Sequence, residues 1–391
     1  MIRISLLSIL LALASCQSET QNNSFTVTNT LGHARSTEVV KVPSELLKLE
    51  EGQSVEDFGI EDENGNLQIV QYIDQNQDGQ ADEIIFQPAV PATGTVRYSV
   101  KKLIEGEQNP ESQNSCFSRF VPERTDDYAW ENDKVAFRTF GPTAQQMKEE
   151  GVLGGTLTSG IDCWLKKVEY PIINRWYKNY ETNSNAYHED TGEGLDNFHV
   201  GISRGCGGIA VKRGEEFYTS KNFTHYKTLT NGSLRTAFEL DYAPWSIGGS
   251  DTVHNTNQVS LDLGNQLSRF EVSVHGADTL YAGLTLHEND GEATVDSLGG
   301  WVSYYQPHGD SYLATAIVAA PGYYIGSELV ETEVKDLSHV YARLSVKDGM
   351  SIYYTGFYWQ KSGQFKGPKE WEAYLTRFAA QLATPLTVAI E

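Results

Sequence analysis

The sequence predicts an all-β protein: one large antiparallel β-sandwich of the super-sandwich kind, with a small β unit ahead of it and a single helix near its end. Three observations carry that prediction. Short apolar or alternating runs recur along the 391 residues between Gly, Asn and Asp, the spacing of strands and turns rather than of alternating strand–helix units. Thirty-five glycines supply turns, and 21 Tyr, 15 Phe and 7 Trp supply aromatic surface for a large core. With hydrophobic residues at 39% and charged residues at 21%, neither a disordered chain nor a coiled coil fits.

Residues 1–15 open on Met-Ile-Arg, pass through an apolar stretch and close on small residues, the pattern of a secretion signal too short to span a membrane. The ending Leu13-Ala14-Ser15-Cys16 resembles a bacterial lipobox, so Cys16 is expected to carry a lipid that anchors the protein to the outer membrane of the cell envelope. Residues 16–24 are polar and read as a flexible tether. Strand-like runs at 25–29, 67–73, 83–87 and 95–100 define an N-terminal β unit over 25–104. The polar, proline-containing stretch 105–114 separates it from a catalytic sandwich over 115–391, with strand runs at 134–140, 198–203, 223–229, 234–242, 267–274, 312–318, 340–346 and 351–359. A short helix is expected at 143–150. A longer one places Trp371, Tyr374, Leu375, Phe378 and Leu382 on one face, with Pro385 beyond its end. Cys116, Cys163 and Cys206 allow at most one disulfide, and no Cys-x-x-Cys pair suggests zinc.

Acidic residues number 52 against 30 basic ones, a net charge of −22, which disfavours nucleic acid as a partner. Residues 166–235 depart from this balance: ten Lys and Arg stand there against eight Asp and Glu, with His188, His199 and His225 among them. A locally cationic zone on an acidic protein suits an anionic small ligand. Within it, the loop from Tyr187 to Asp196 displays His188, the best proton-transfer candidate, beside Tyr187. Its carboxylates at 189, 190, 193 and 196 could instead form a glycosidase pair. Arg204 offers a planar fork to a carboxylate or sulfate, and the following Gly205-Cys206-Gly207-Gly208 either lets backbone approach a ligand or makes a bulge. Arg138 and Arg235 sit among apolar strand residues, where each either lines a cleft or pairs with a buried carboxylate. Trp164, Trp176, Tyr242 and Trp359 are candidate sugar-stacking rings, and His308 is a further proton-transfer candidate. Asp74, Asn76, Asp78 and Asp82, with Gly79 between them, have the spacing of a calcium loop without its closing glutamate, so a structural calcium is the only cofactor expected.

Several motifs in order, among them Ser159-Gly160-Ile161-Asp162-Cys163-Trp164, Arg175-Trp176-Tyr177, Tyr187-His188, Gly201 to Gly208 and Tyr242-Ala243-Pro244-Trp245, resemble a family of lipoproteins that accompany polysaccharide lyases in bacteria digesting uronate-rich polysaccharides. A characterised branch is the ulvan oligosaccharide dehydratases. The resemblance implies loss of water from a non-reducing-end glucuronate or iduronate to give a 4,5-unsaturated uronate. That chemistry needs a base for H5, an acid for the 4-hydroxyl and a clamp for the carboxylate. His188 and Tyr187 are expected as base and acid in either order, Arg204 as clamp, and Arg138 or Arg235 as its helper. A polysaccharide lyase, a non-catalytic glycan-binding lipoprotein and a glycosidase are the competing expectations. A sandwich like that of galactose mutarotase and several lyases would fit the strand pattern.

Overall fold

In the computed structural model, residues 23–391 are described; the expected leader, Cys16 and most of the tether lie outside them. The architecture is the all-β sandwich. The largest sheet runs Phe223–Thr230, Arg235–Tyr242, Thr252–Asp262, Leu267–His275, Met350–Trp359, Ser311–Ala319, Trp301–His308 and Glu292–Asp296 from edge to edge, each neighbouring pair antiparallel. Two five-stranded sheets cover its inner face. One contains Phe117–Val121, Asp127–Glu131, Ala136–Thr139, Asp162–Lys166 and Gly194–Leu195; the other contains Cys206–Arg213, Thr279–Thr285 and His339–Ser345 as its central strands. A parallel bridge, Ile161 to Gly205, joins the two.

Alternating inward residues of all three sheets form one core, with Phe238, Phe270, Val272 and Tyr353 meeting Trp130, Phe137, Leu280 and Leu344. Gly207 shows how closely the layers approach. Its backbone is left-handed (φ +99°), and a Cβ there would lie 2.5 Å from the Thr355 hydroxyl. The ladder shifts register between Cys206 and Gly208, so the glycine cluster is a β-bulge within a strand.

The N-terminal unit has its own core, in which Phe25, Phe86 and Tyr98 pack ring to ring. Ser24 opens its first strand, Ser24–Thr28, and is buried, so the polar tether ends one residue earlier than its composition suggests. Two of this unit's sheet edges involve distant chain: Thr387–Ile390 pairs with Ser24–Thr28, and Gln71 bonds the backbone of Leu234 and Arg235.

Among the described residues three α-helices accompany the sheets. α1 (Pro142–Glu149) is the expected short helix, and α3 (Pro368–Ala383) the expected long one. α3 buries Trp371 and Leu375 against Trp301, Ala316 and Tyr358 on the outer face of the large sheet. α2 (Ile173–Thr182) was not anticipated; Ile173, Trp176 and Tyr177 form its buried face. The expected strand at 198–203 is a turn instead. Gly201 adopts φ +53° and the Ser203 amide closes back on the Val200 carbonyl, so the alternation of Phe198, Val200 and Ile202 belongs to a packed loop. No helix among the described residues is long and apolar enough to cross a membrane.

Candidate active site

Strand alternation splits the expected arginine cluster before any site can form. Along Ala136–Thr139, Phe137 faces the sandwich core, whereas Ala136 and Arg138 face the aromatic cluster of α2. Arg138 is buried there. Its Nε donates to Asp162 (2.9 Å), its Nη2 to Asp196 (2.9 Å), and Asp127 lies 3.6 Å from Nη1. Burial opposes its charge, but these three carboxylates outweigh burial and hold its pKa above the usual arginine range. Of its two expected readings, the buried ion pair is the observed one. Asp127 sits deepest: burial pushes its pKa up to about 6, against Arg138 and Arg124.

Arg235 is held bidentately by Asp262, directly opposite in the large sheet (Nε–Oδ1 2.6 Å, Nη2–Oδ2 2.9 Å), far along the chain fold from the Arg138 cluster. Arg204 lies inside the sandwich. Its guanidinium donates to the Ser159 and Thr158 hydroxyls and to the Ile209 and Ile202 carbonyls, and no carboxylate compensates it. Burial therefore lowers its pKa to about 10, with only Tyr341 and Tyr242 opposing. The three arginines do not form one clamp, because each is committed to a separate buried partner set.

The histidine loop is different. His188 keeps 42% of its side chain exposed while its Nδ1 lies 2.7 Å from the Asp196 carbonyl oxygen. A carbonyl only accepts, so Nδ1 carries the proton and Nε2 keeps its lone pair. The ring packs edge-on against Tyr187 (4.6 Å), and the Asp196 carboxylate, fixed by Arg138, stands 3.9 Å from the same Nδ1. The chain then touches a new imidazole at almost every step. Asn197 bonds His308 Nε2 (2.9 Å), Phe198 packs on His287 (4.7 Å), and the His199 carbonyl receives His287 Nε2–H (2.9 Å). His287 itself holds a left-handed backbone (φ +49°), a conformation an ordinary residue adopts rarely.

Two ion pairs border this face, Lys167–Asp190 (2.7 Å) and Lys361–Asp310, and the Asp190 charge is felt at Asp310. The arrangement can accept a proton at His188 Nε2 and offer ammonium groups to an anion alongside.

Burial pushes the His308 pKa down to about 4, aided by the nearby His287, and that of His339 to about 3, aided by Arg204. Both folded values lie below the unfolded value near 6.5, so the unfolded chain binds more protons between them. Stability from these neutral imidazoles is complete above about pH 6.5 and is lost as pH falls toward 4. The melting temperature of the wild type should therefore decline relative to His308→Gln across that window, in parallel thermal scans. A constant offset would contradict the burial argument.

The remaining candidates are placed as follows. Tyr187 is 2% exposed, and its hydroxyl lies 3.4 Å from Arg138 Nη1, so it supports His188 rather than meeting solvent. Trp164, Trp176, Tyr242 and Trp359 are all core: Trp164 stacks between Trp176 and Tyr187 with the Arg138 cation over its ring. Their apolar area is spent on packing, which removes them as sugar platforms. The loop carboxylates are likewise engaged. Glu193 receives Arg175, Tyr170 and Trp176, and Lys167 with loop amides holds Asp190 below the usual carboxylate range despite its partial burial. Glu193 and Asp190 are thus committed to partners, and Asp196 to Arg138, rather than standing open as a glycosidase pair.

Gly201-Ile202-Ser203-Arg204-Gly205 has the spacing of an esterase elbow, a motif the sequence was expected to lack. Ser203 is fully buried, its Oγ accepts from the Gly205 amide and the Thr285 hydroxyl, and a strand rather than a helix follows. In the Asp74–Asp82 turn, the side-chain oxygens of Asp74, Asn76, Asp78 and Asp82 accept from the loop's own amides. Among the described residues no group of three or more His, Cys, Asp or Glu is placed to hold a metal ion, and calcium enters no step below.

Residues 27–388 match the domain of unknown function DUF4861. The chain is 46% identical over 381 residues to the uncharacterized protein P7 of Formosa agariphila, covering 97% of this chain and 96% of that protein. Among solved structures, it is similar to a glycosyl hydrolase family 38 protein from Enterococcus faecalis (TM-score 0.48, 11% identity, 94% of this chain) and to an alpha-mannosidase from the same organism (TM-score 0.45, 11% identity, 94% of this chain). The chain spans about half the length of those two structures, 47% and 45%.

Proposed function

The chain belongs to the DUF4861 family, and within it we propose a carbohydrate dehydratase that removes water from the non-reducing-end uronate of an ulvan-type oligosaccharide. The observation that carries this reading is His188, an exposed imidazole whose Nδ1–H is spent on the Asp196 carbonyl so that Nε2 is left to accept a proton. In the proposed step Nε2 takes H5 of glucuronate or iduronate. The C5–H electrons form the C4=C5 bond, the C4–O bond breaks, and the departing hydroxide takes the proton back from the His188 imidazolium and leaves as water, which regenerates the neutral ring. Negative charge accumulates on the carboxylate as H5 is lost, and a cation beside it lowers that barrier. Lys167 and Lys361, the ammonium groups bordering the histidine face, take this clamp role in the proposal; the buried Arg204 and Tyr187 do not touch substrate in it. Attachment to the cell envelope through Cys16 belongs to the same proposal.

The test is mass spectrometry of saturated uronate-terminated oligosaccharides incubated with the protein. Loss of one water with no new reducing end supports the reading. New reducing ends together with unsaturated product would point to a lyase, new reducing ends without it to a glycosidase, and binding without any reaction would leave a glycan-binding protein. Lys361→Ala should lower kcat and kcat/KM about tenfold with a smaller change in KM, because its cation answers charge that grows only as H5 is lost.

A further inference from the structure

Arg235 does not reach the histidine face, yet it does line a cavity. Two adjoining hollows, of about 190 and 120 Å³, open between the N-terminal unit and the outer face of the large sheet, and Arg235, Ser260 and Arg269 line both. We infer that this groove is a second binding site, for a neutral pyranose bearing vicinal hydroxyls.

Charge argues for a neutral ligand. Arg235 is matched by Asp262 and Arg269 by Glu271, while Glu38 and Glu83 on the facing side are matched by Arg35 and Lys41 and Asp74 also lines the hollow, so the groove holds no cationic surplus for an anion. Donors and acceptors remain nonetheless. Asp262 takes the Nε and Nη2 of Arg235 and leaves Nη1 uncommitted, while each carboxylate oxygen retains a further lone pair. A rigid Arg–Asp pair therefore presents one donor and one acceptor side by side, the pattern that two neighbouring hydroxyls complement. Gln258 and Ser260, both half-buried in the same strand and on its same face, add polar groups.

One end of the groove is apolar. Tyr354, beside Arg269 in the same sheet, and Phe378 of α3 pack edge to face (5.1 Å) and are only partly buried, in contrast to the four rings suggested by sequence, which are all core. A partly exposed aromatic surface next to fixed hydrogen-bonding pairs suits a sugar ring, whose faces are apolar and whose rim is polar. The inference does not rest on the dehydratase reading, since nothing in the groove needs to donate or take a proton.

Saturation-transfer NMR on the protein with the methyl glycosides of glucose, galactose, mannose, xylose and rhamnose, and with glucuronate, tests it. Transfer to at least one neutral glycoside is expected, weakened at least threefold by Arg269→Gln and abolished by Ser260→Phe, which fills the hollow. Arg269 is one-third exposed, so its variant should fold even if the Phe variant does not. His188→Gln should leave the signal intact. Transfer to glucuronate alone, no transfer to any neutral glycoside, or a signal unchanged in Arg269→Gln would each overturn the assignment. Dehydration lost in His188→Gln with the signal retained separates this site from the catalytic one.

Discussion

Replacing His188 by Gln is expected to lower kcat/KM for water loss by about 10²- to 10⁴-fold, the usual worth of a positioned general base. Glutamine keeps a polar side chain of similar reach, so the Asp196 carbonyl still finds a donor while the basic lone pair of Nε2 is gone. The fold should be indifferent, because the ring is exposed and its contacts are one hydrogen bond and one face of Tyr187. Asp196→Asn refines the test. It leaves the backbone carbonyl but removes the carboxylate that fixes the segment through Arg138, so the loss should be partial and appear with a disturbed pH profile. A His188→Gln enzyme within threefold of wild type, measured by unsaturated product formed per unit time, would remove His188 from the chemistry.

The largest stability effect is expected at Glu131. Its two carboxylate oxygens accept the amides of Ile172 and Ile173 at the start of α2 (2.9 Å each) and the Lys166 ammonium (2.8 Å), with both charged side chains fully buried. Ile172 has no side-chain oxygen to cap that helix, so a neighbouring strand supplies the anion at its positive end. Lys166 spends its other protons on the Asn132 and Tyr170 carbonyls. Glu131→Ala strands one buried ammonium and two buried amides at once, and should cost about 3–5 kcal/mol, read from the midpoint and slope of urea unfolding. Changing both partners, Glu131→Leu with Lys166→Met, should recover part of that cost and not all, since the helix amides stay unpaired. A cost below about 1 kcal/mol for Glu131→Ala would mean that water reaches the pair. Because α2 carries Trp176 and Tyr177 beneath Tyr187, loosening it should also blur the position of His188.

What the sequence made legible follows from how local each signal is. Strand alternation and the face of α3 are written in neighbouring residues, and so is the exposure of a histidine within a polar, glycine-bearing loop. α2 is equally local: Ile173, Trp176, Tyr177 and Tyr180 recur at helical spacing, a stripe that Trp176 taken singly as a sugar-stacking ring does not reveal. The arginines were a different matter. Arg138 meets Asp162 and Arg235 meets Asp262 across strand registers set by the whole sheet, so residue type alone could not decide between cleft and ion pair. The Phe198–Ser203 stretch misled because a buried loop and a strand share the same alternation when Gly201 supplies the reversal.

The pairing of Thr387–Ile390 with Ser24–Thr28 bears on the order of assembly. Phe25 waits for Ile390, so the first sheet made stays one strand short until Thr387–Ile390 has been synthesised. Closing so long a loop costs only a slowly growing entropy, but it delays the contact. Until then a row of unpaired backbone groups is available to another nascent chain. Trimming the final strand should therefore show itself first as aggregation during refolding, rather than as lost turnover.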